Sequence, residues 1–171
     1  TEDLTVMRAL PNMTVLCPAD VVEADVVTKA LFGHSGPAYI CLGKTGKKQV
    51  YGAPPQFSLG QGILVSDGKD LTLISIGNII DTVLAVRDNL AQKGISARII
   101  SLPCLKPLDS DIIKKAAEET GVIFTIEERG KIGGLGEAVA SFLMENGFSG
   151  ISFKMFGLSD DVHKDIGSPE Y

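Results

Sequence analysis

The stretch that decides the fold is residues 71–126, LTLISIGNIIDTVLAVRDNLAQKGISARIISLPCLKPLDSDIIKKAAEETGVIFTI. It alternates short β-branched runs with apolar residues at helical spacing. Leu71 to Ile76 reads as a buried strand, and Asn78 is placed to cap a helix carrying Ile80, Val83, Leu84 and Val86 to Leu90, which Gly94 ends. The unit then repeats. Ala97 to Ser101 is a strand, Asp109 caps a helix with Ile112, Ile113, Ala116 and Ala117 on one face, and Gly121 stops it before the strand Val122 to Ile126. A third helix follows, with Leu135, Ala138, Val139, Phe142 and Leu143 on one face and Gly147 past its end, leading to a strand from Ile151 to Phe156. Such spacing requires a mostly parallel sheet with helices on both faces, joined by right-handed crossovers. The expected architecture is α/β, a three-layer αβα domain with a mostly parallel sheet of about five strands.

Upstream the same grammar is cut short. Thr14 to Cys17 is a strand, Asp20 and Glu23 form a D-x-x-E capping box for a helix through about Phe32, and Ala38 to Leu42 is another strand. Two strands and a helix cannot cover their own apolar faces, so this segment reads as the tail of a second α/β domain. From Gly43 the composition turns to GKTGKKQVYGAPPQ, without periodicity, which reads as a surface linker. The expected organisation is a partial domain plus linker over residues 1–57 and a complete domain over residues 58–171. Thr1 in place of an initiator methionine suggests a start inside a longer product.

Composition narrows the function classes. The chain has 171 residues, is 44% hydrophobic and 22% charged, and carries a formal net charge of -5. Those values suit a packed domain and exclude disordered, collagen-like and coiled-coil classes. An acidic balance offers no attractive field to phosphodiester backbones or anionic membranes, so neither nucleic acid nor membrane is expected as a partner. The three cysteines, Cys17, Cys41 and Cys104, are too scattered for a disulfide framework or a zinc site and read as buried free thiols. No apolar run approaches the ~20 residues of a membrane span and no signal-type leader opens the chain, which makes a cytoplasmic location the expectation. His34, between Gly33 and Ser35, reads as a turn residue and His163, in DDVHKD, as solvated surface.

Two glycine-containing motifs invite a nucleotide reading. Gly43-Lys44-Thr45 resembles the end of a phosphate loop, but Ala38 stands where that loop needs its first glycine and Pro54 and Pro55 follow in place of a helix. GKIGGLG at 130–136 lies where a strand passes into a helix, a position at which backbone amides can hold an anion. Its glycine order is not G-x-G-x-x-G, and Glu127 and Glu128 just before it would repel a pyrophosphate. Close packing of strand to helix, or close approach of another chain, is the better reading. Glu127, Glu128, Gly133, Gly134 and Gly136 are therefore interface candidates, Glu127 and Glu128 pointing to opposite faces of their strand.

EDL at 2–4, MRALPNM at 7–13, PAD at 18–20 and GPAYI at 36–40 resemble the end of the pyrimidine-binding domain of transketolases. PLD at 107–109, EE at 127–128, GGLGEAV at 133–139 and GSPE at 167–170 resemble that family's C-terminal domain. Transketolase, deoxyxylulose-phosphate synthase and the β subunits of 2-oxo-acid dehydrogenases share the pattern, while RALPNM and GSPE lean toward transketolase, including its split prokaryotic forms. The resemblance implies a thiamine-diphosphate enzyme moving a two-carbon ketol unit between sugar phosphates, as a homodimer. It also implies that the activating glutamate, the channel histidines and the ligands of diphosphate and magnesium lie upstream, in a missing N-terminal portion or a separate N-terminal subunit. This chain alone is then expected to bind no thiamine diphosphate or magnesium and to be inactive, with no catalytic or metal-ligating residue of its own. One position carries over. Where the family usually has a phosphate-binding arginine after the Ala38 strand, this chain has Lys44, which supplies a point charge without the bidentate fork. A second position, often arginine in relatives, is Cys41. The alternatives are a non-catalytic dimerisation or regulatory module of the same fold, or part of a deoxyxylulose-phosphate synthase or oxo-acid dehydrogenase.

Overall fold

A computed structural model describes residues 2–43 and 49–160. In chain order the elements are α1 (Asp3–Ala9), β1 (Thr14–Leu16), α2 (Val21–Leu31), β2 (Ala38–Ile40), β3 (Ile63–Ser66), β4 (Leu71–Ser75), α3 (Ile80–Gln92), β5 (Ala97–Ser101), β6 (Cys104–Lys106), α4 (Ser110–Thr120), β7 (Val122–Gly130), α5 (Leu135–Glu145) and β8 (Ser152–Leu158). Five strands form one sheet in the order β3-β5-β4-β7-β8. β4 pairs in parallel with β5 and β7, and β7 with β8, while β3 runs antiparallel to β5. Leu73 and Ile99 pack with Ile80 and Val83 of α3 on one face. Ile74, Ile100 and Ile123 pack with Ile113 of α4 and Leu135 and Val139 of α5 on the other. The three-layer αβα domain expected from the alternation is the one formed.

Local chemistry explains the element ends. Asp109 Oδ1 accepts from the amides of Asp111 and Ile112 to start α4, and its Oδ2 accepts from Gly62 N at 2.7 Å. Gly121 ends that helix at φ 63°, in the left-handed region that glycine enters without strain. Asn78 departs from expectation: a 3-10 turn at Gly77–Ile79 precedes α3, and Ile80 N donates to Gly77 O. The tightened turn satisfies an early amide, so no side-chain cap is used, and Asn78 lies against Gly43 instead.

The N-terminal segment forms a smaller sheet, β2-β1-β6, and its third strand comes from beyond residue 58. β1 is parallel to β2, and antiparallel to β6 with Val15 opposite Lys106. The two segments also share one core, since Leu4, Val15 and Cys17 pack in the same cluster as Ile74, Ile100 and Leu105. Residues 49–62 are not a free linker. Val50 N donates to Asp20 Oδ2 at 2.7 Å, Tyr51 donates its hydroxyl to Glu23 Oε1, and Phe57 and Leu59 pack on Leu16, Val27 and Cys104. A segment with no periodicity can still be bound down by a few anchoring side chains, which a periodicity reading misses.

Candidate functional site

The carboxyl ends of β4 and β7, where an open α/β sheet leaves its ligand crevice, are covered in this chain by the N-terminal segment. Helix α1 is the wedge. Its one buried residue, Leu4, enters the common core, and polar bonds surround it. Thr5 Oγ1 donates to Ile132 O at 2.9 Å, Arg8 Nη1 donates to Gly133 O at 3.1 Å, and Lys106 Nζ donates to the carbonyls of Arg8 and Leu10 at the end of the helix. Lysine at carbonyls close to a helix end satisfies both charge and hydrogen-bonding need.

The turn at 130–136 meets α1 and its own strand and helix. Glu127, only 4% exposed, accepts from Leu135 N at 3.0 Å and Gly136 N at 2.9 Å, so its carboxylate caps α5. Burial pushes its carboxyl up, while the two amide bonds oppose that shift. A Cβ on Gly134 would lie 2.2 Å from Glu127 Oε2, and one on Gly133 would lie 2.3 Å from the Thr5 methyl. A Cβ on Gly136 would press on Met155. The close approach read from these glycines is made within the chain, and both carboxylate oxygens of Glu127 accept from the start of its own helix. Glu128 is exposed on the opposite side of the strand.

At the far side of α1 lies a cluster that the sequence did not bring together. Arg129 pairs with Asp3 Oδ1 and donates through Nη2 to Cys41 Sγ, and Tyr39 donates its hydroxyl to Asp3 Oδ2 at 2.6 Å. The bond to Asp3 pushes the Tyr39 hydroxyl up to about 12. Arg129 comes from the second segment and the other three side chains from the first, so the cluster ties the two together. Asp3 stands within the EDL motif and Arg129 directly follows the paired glutamates, but no spacing rule joins residues at the two ends of a chain.

A cavity of about 160 Å³ lies beside this seam, lined by Pro18, Val21, Ala24, Leu42, Gly43 and Asn78. Lys44, the expected phosphate contact, and His163 lie outside the described residues, as does GSPE at 167–170. His34 Nε2 lies 3.1 Å from Thr14 Oγ1, a bond that holds the turn before β2. Cys17 and Cys104 are buried free thiols as expected, and Cys41 is half-buried. Among the described residues no group of histidine, cysteine, aspartate or glutamate could hold a metal ion, and no helix is long and apolar enough to cross a membrane.

Residues 60–160 match the family described as transketolase, C-terminal domain. One of the subunits of an apulose-4-phosphate transketolase from Phocaeicola vulgatus is 34% identical over 160 residues, covering 93% of this chain and 50% of that protein. A 1-deoxy-D-xylulose-5-phosphate synthase from Desulfotalea psychrophila is 32% identical over 160 residues, covering 91% of this chain and 25% of that protein. A solved split-gene transketolase, described as an inactive β4 tetramer, has a TM-score of 0.90 and 36% identity, covering 96% of this chain and 54% of its own. The chain spans about half the length of the transketolase subunits it matches.

Proposed function

The chain belongs to the transketolase C-terminal domain family, and from that premise we propose that it is the C-terminal part of a thiamine-diphosphate-dependent enzyme that transfers a two-carbon ketol unit between sugar phosphates. Residues 1–57 are then the end of the pyrimidine-binding domain and residues 58–171 the C-terminal domain, assembling in the cytoplasm with an N-terminal portion into a homodimer-based enzyme.

The observation that carries this reading is the unfinished first sheet. β2 pairs only with β1 among the described residues, and Val21, Phe32 and Leu42 around it are 60%, 87% and 60% exposed. An open strand edge beside apolar side chains is what a missing domain portion would cover.

The cofactor does not fit the described residues. The carboxylates buried there are already engaged: Glu23 by Ala19 N and Tyr51, Asp20 by Val22 N, Glu23 N and Val50 N, and Glu127 by α5. None is open to a cation or a pyrimidine ring. The reading therefore assigns thiamine diphosphate and magnesium to the upstream portion.

Lys44 is the one substrate contact assigned to this chain, as a point charge for a sugar phosphate. In the assembled enzyme, Lys44→Ala is expected to raise KM for phosphorylated acceptors about tenfold, equivalent to ~1.4 kcal/mol. An equal loss with unphosphorylated acceptors would remove the phosphate role.

The test of the whole reading is reconstitution. Mixed with the N-terminal portion, thiamine diphosphate and magnesium, the chain should consume ribose 5-phosphate with a ketose donor, and it should do nothing alone. Consumption of pyruvate instead would favour the synthase or dehydrogenase reading, to which the match with deoxyxylulose-phosphate synthase gives weight. A stable complex without turnover would favour a non-catalytic module.

A further inference from the structure

We propose that Cys17 and Cys41 form a peroxide-sensitive thiol pair, with Cys41 as the attacking sulfur, Cys17 as the resolving sulfur and Arg129 as the cation that activates the first. The register brings the two cysteines together. β1 and β2 are parallel with Leu16 opposite Ile40, and the ladder continues one step as Cys41 N donates to Leu16 O at 2.8 Å. Cys17 and Cys41 are therefore adjacent across neighbouring strands, where strands lie about 4.8 Å apart, inside the Cα range a disulfide accepts.

Their environments differ in the way the two roles require. Cys17 is 7% exposed, its sulfur pressed where a Cβ on Gly77 would stand at 2.8 Å. Cys41 is half-buried and receives the Arg129 guanidinium. The neighbouring Cys17 thiol, with the charge of Arg129, holds the Cys41 thiol down to about 7 against the burial that would raise it. Cys17, beside the Cys41 sulfur and desolvated, is pushed well up. Among the described residues no cation or thiol shifts Cys104, and burial raises it to about 11.

The reaction balances with a hydroperoxide as oxidant. The Cys41 thiolate attacks one peroxide oxygen, the O–O bond breaks, and hydroxide leaves and takes up a proton to give water. The sulfur is then a sulfenic acid. The Cys17 sulfur displaces hydroxide from it, an S–S bond forms, and the Cys17 proton completes a second water. Two thiols lose two electrons and two protons, and hydrogen peroxide becomes two waters. Arg129 loses the thiolate and keeps Asp3, so oxidation weakens the tie between the two segments.

The full chain, exposed to hydrogen peroxide at pH 7, blocked by alkylation and digested with trypsin without reductant, should yield a linked pair of peptides, 9–29 and 30–44, two hydrogens lighter than their sum. Cys104 should be found alkylated. Before oxidation Cys41 should alkylate at pH 7 about tenfold faster than Cys104, and Arg129→Gln should slow Cys41 severalfold at pH 7 while leaving its rate at pH 10 unchanged. Cys17→Ser should stop at a sulfenic acid trapped on Cys41 by dimedone. Three free thiols after peroxide, a bridge to Cys104 or between chains, or Cys41 carried to sulfinic acid with Cys17 intact would overturn the proposal.

Discussion

The N-terminal and C-terminal segments obey the same strand-helix-strand grammar, yet only the second completes its sheet from its own residues. β4, β5, β7 and β8 find parallel neighbours within residues 58–160, and helices cover both faces. β1 finds one neighbour in β2 and takes the other, β6, from the second segment. A sheet edge and an apolar face must each be covered, and a segment with two strands has to obtain that cover elsewhere. Dependence of this kind is set by strand count, because the hydrophobic character of the two segments is alike.

The most severe way to break the comparison is to weaken the strand both segments use. Leu105 in β6 is 2% exposed, and Leu105→Ala is expected to cost about 3 kcal/mol. If the first segment is the dependent one, hydrogen exchange at the β1 amides should rise far more than at those of β4. Equal loss in both would make the two segments one cooperative unit.

A smaller effect probes the second segment alone. Glu127→Ala leaves the buried amides of Leu135 and Gly136 without their acceptor, a cost of about 2 kcal/mol and a fall in Tm of roughly 6 °C. Exchange should rise at the start of α5, with β1 and β2 protected as before.

The smallest effect sharpens the comparison through pH. Burial raises the carboxyl of Glu23, as it does that of Glu127, above the unfolded value. For an acid shifted upward the native state binds the proton more tightly, so its contribution is full below the unfolded value of about 4.5 and is lost as pH rises through the native one. Glu23→Gln keeps an acceptor for Ala19 N and removes the titration. Denaturant midpoints between pH 4.5 and 7 should then fall less with rising pH than in the parent chain, and an identical slope would show that Glu23 stays ionised throughout.

Much of the fold was legible because periodicity and capping are local signals. The helices capped by Asp20 and Asp109 begin where their side chains say they should. Glu23, expected to close a capping box, reaches back to Ala19 N at 2.7 Å, one residue earlier than the pattern implies. Ile63–Ser66, Cys104–Lys106 and the helix Asp3–Ala9 went unread, since each is too short for a period to show and each is stabilised by partners distant in sequence. The same limit governs the site. The glycines of 130–136 announced a close approach, but that Thr5 and Arg8 supply it follows only from tertiary packing. The Asp3, Tyr39, Cys41 and Arg129 cluster was illegible for the same reason, as its four members come from three separated stretches.

The pairing of β1 with β6 has a consequence for synthesis on the ribosome. Val15 emerges early, and its partner Lys106 is made only after the strands at 63–66, 71–75 and 97–101. Until then β1 has an open edge and Leu4 has no cluster to enter. Between the synthesis of β1 and that of β6 an aggregation-prone strand is therefore exposed while the later strands are being built. Whatever shelters that edge in the meantime acts on a strand that is made well before β6 and completed only after it.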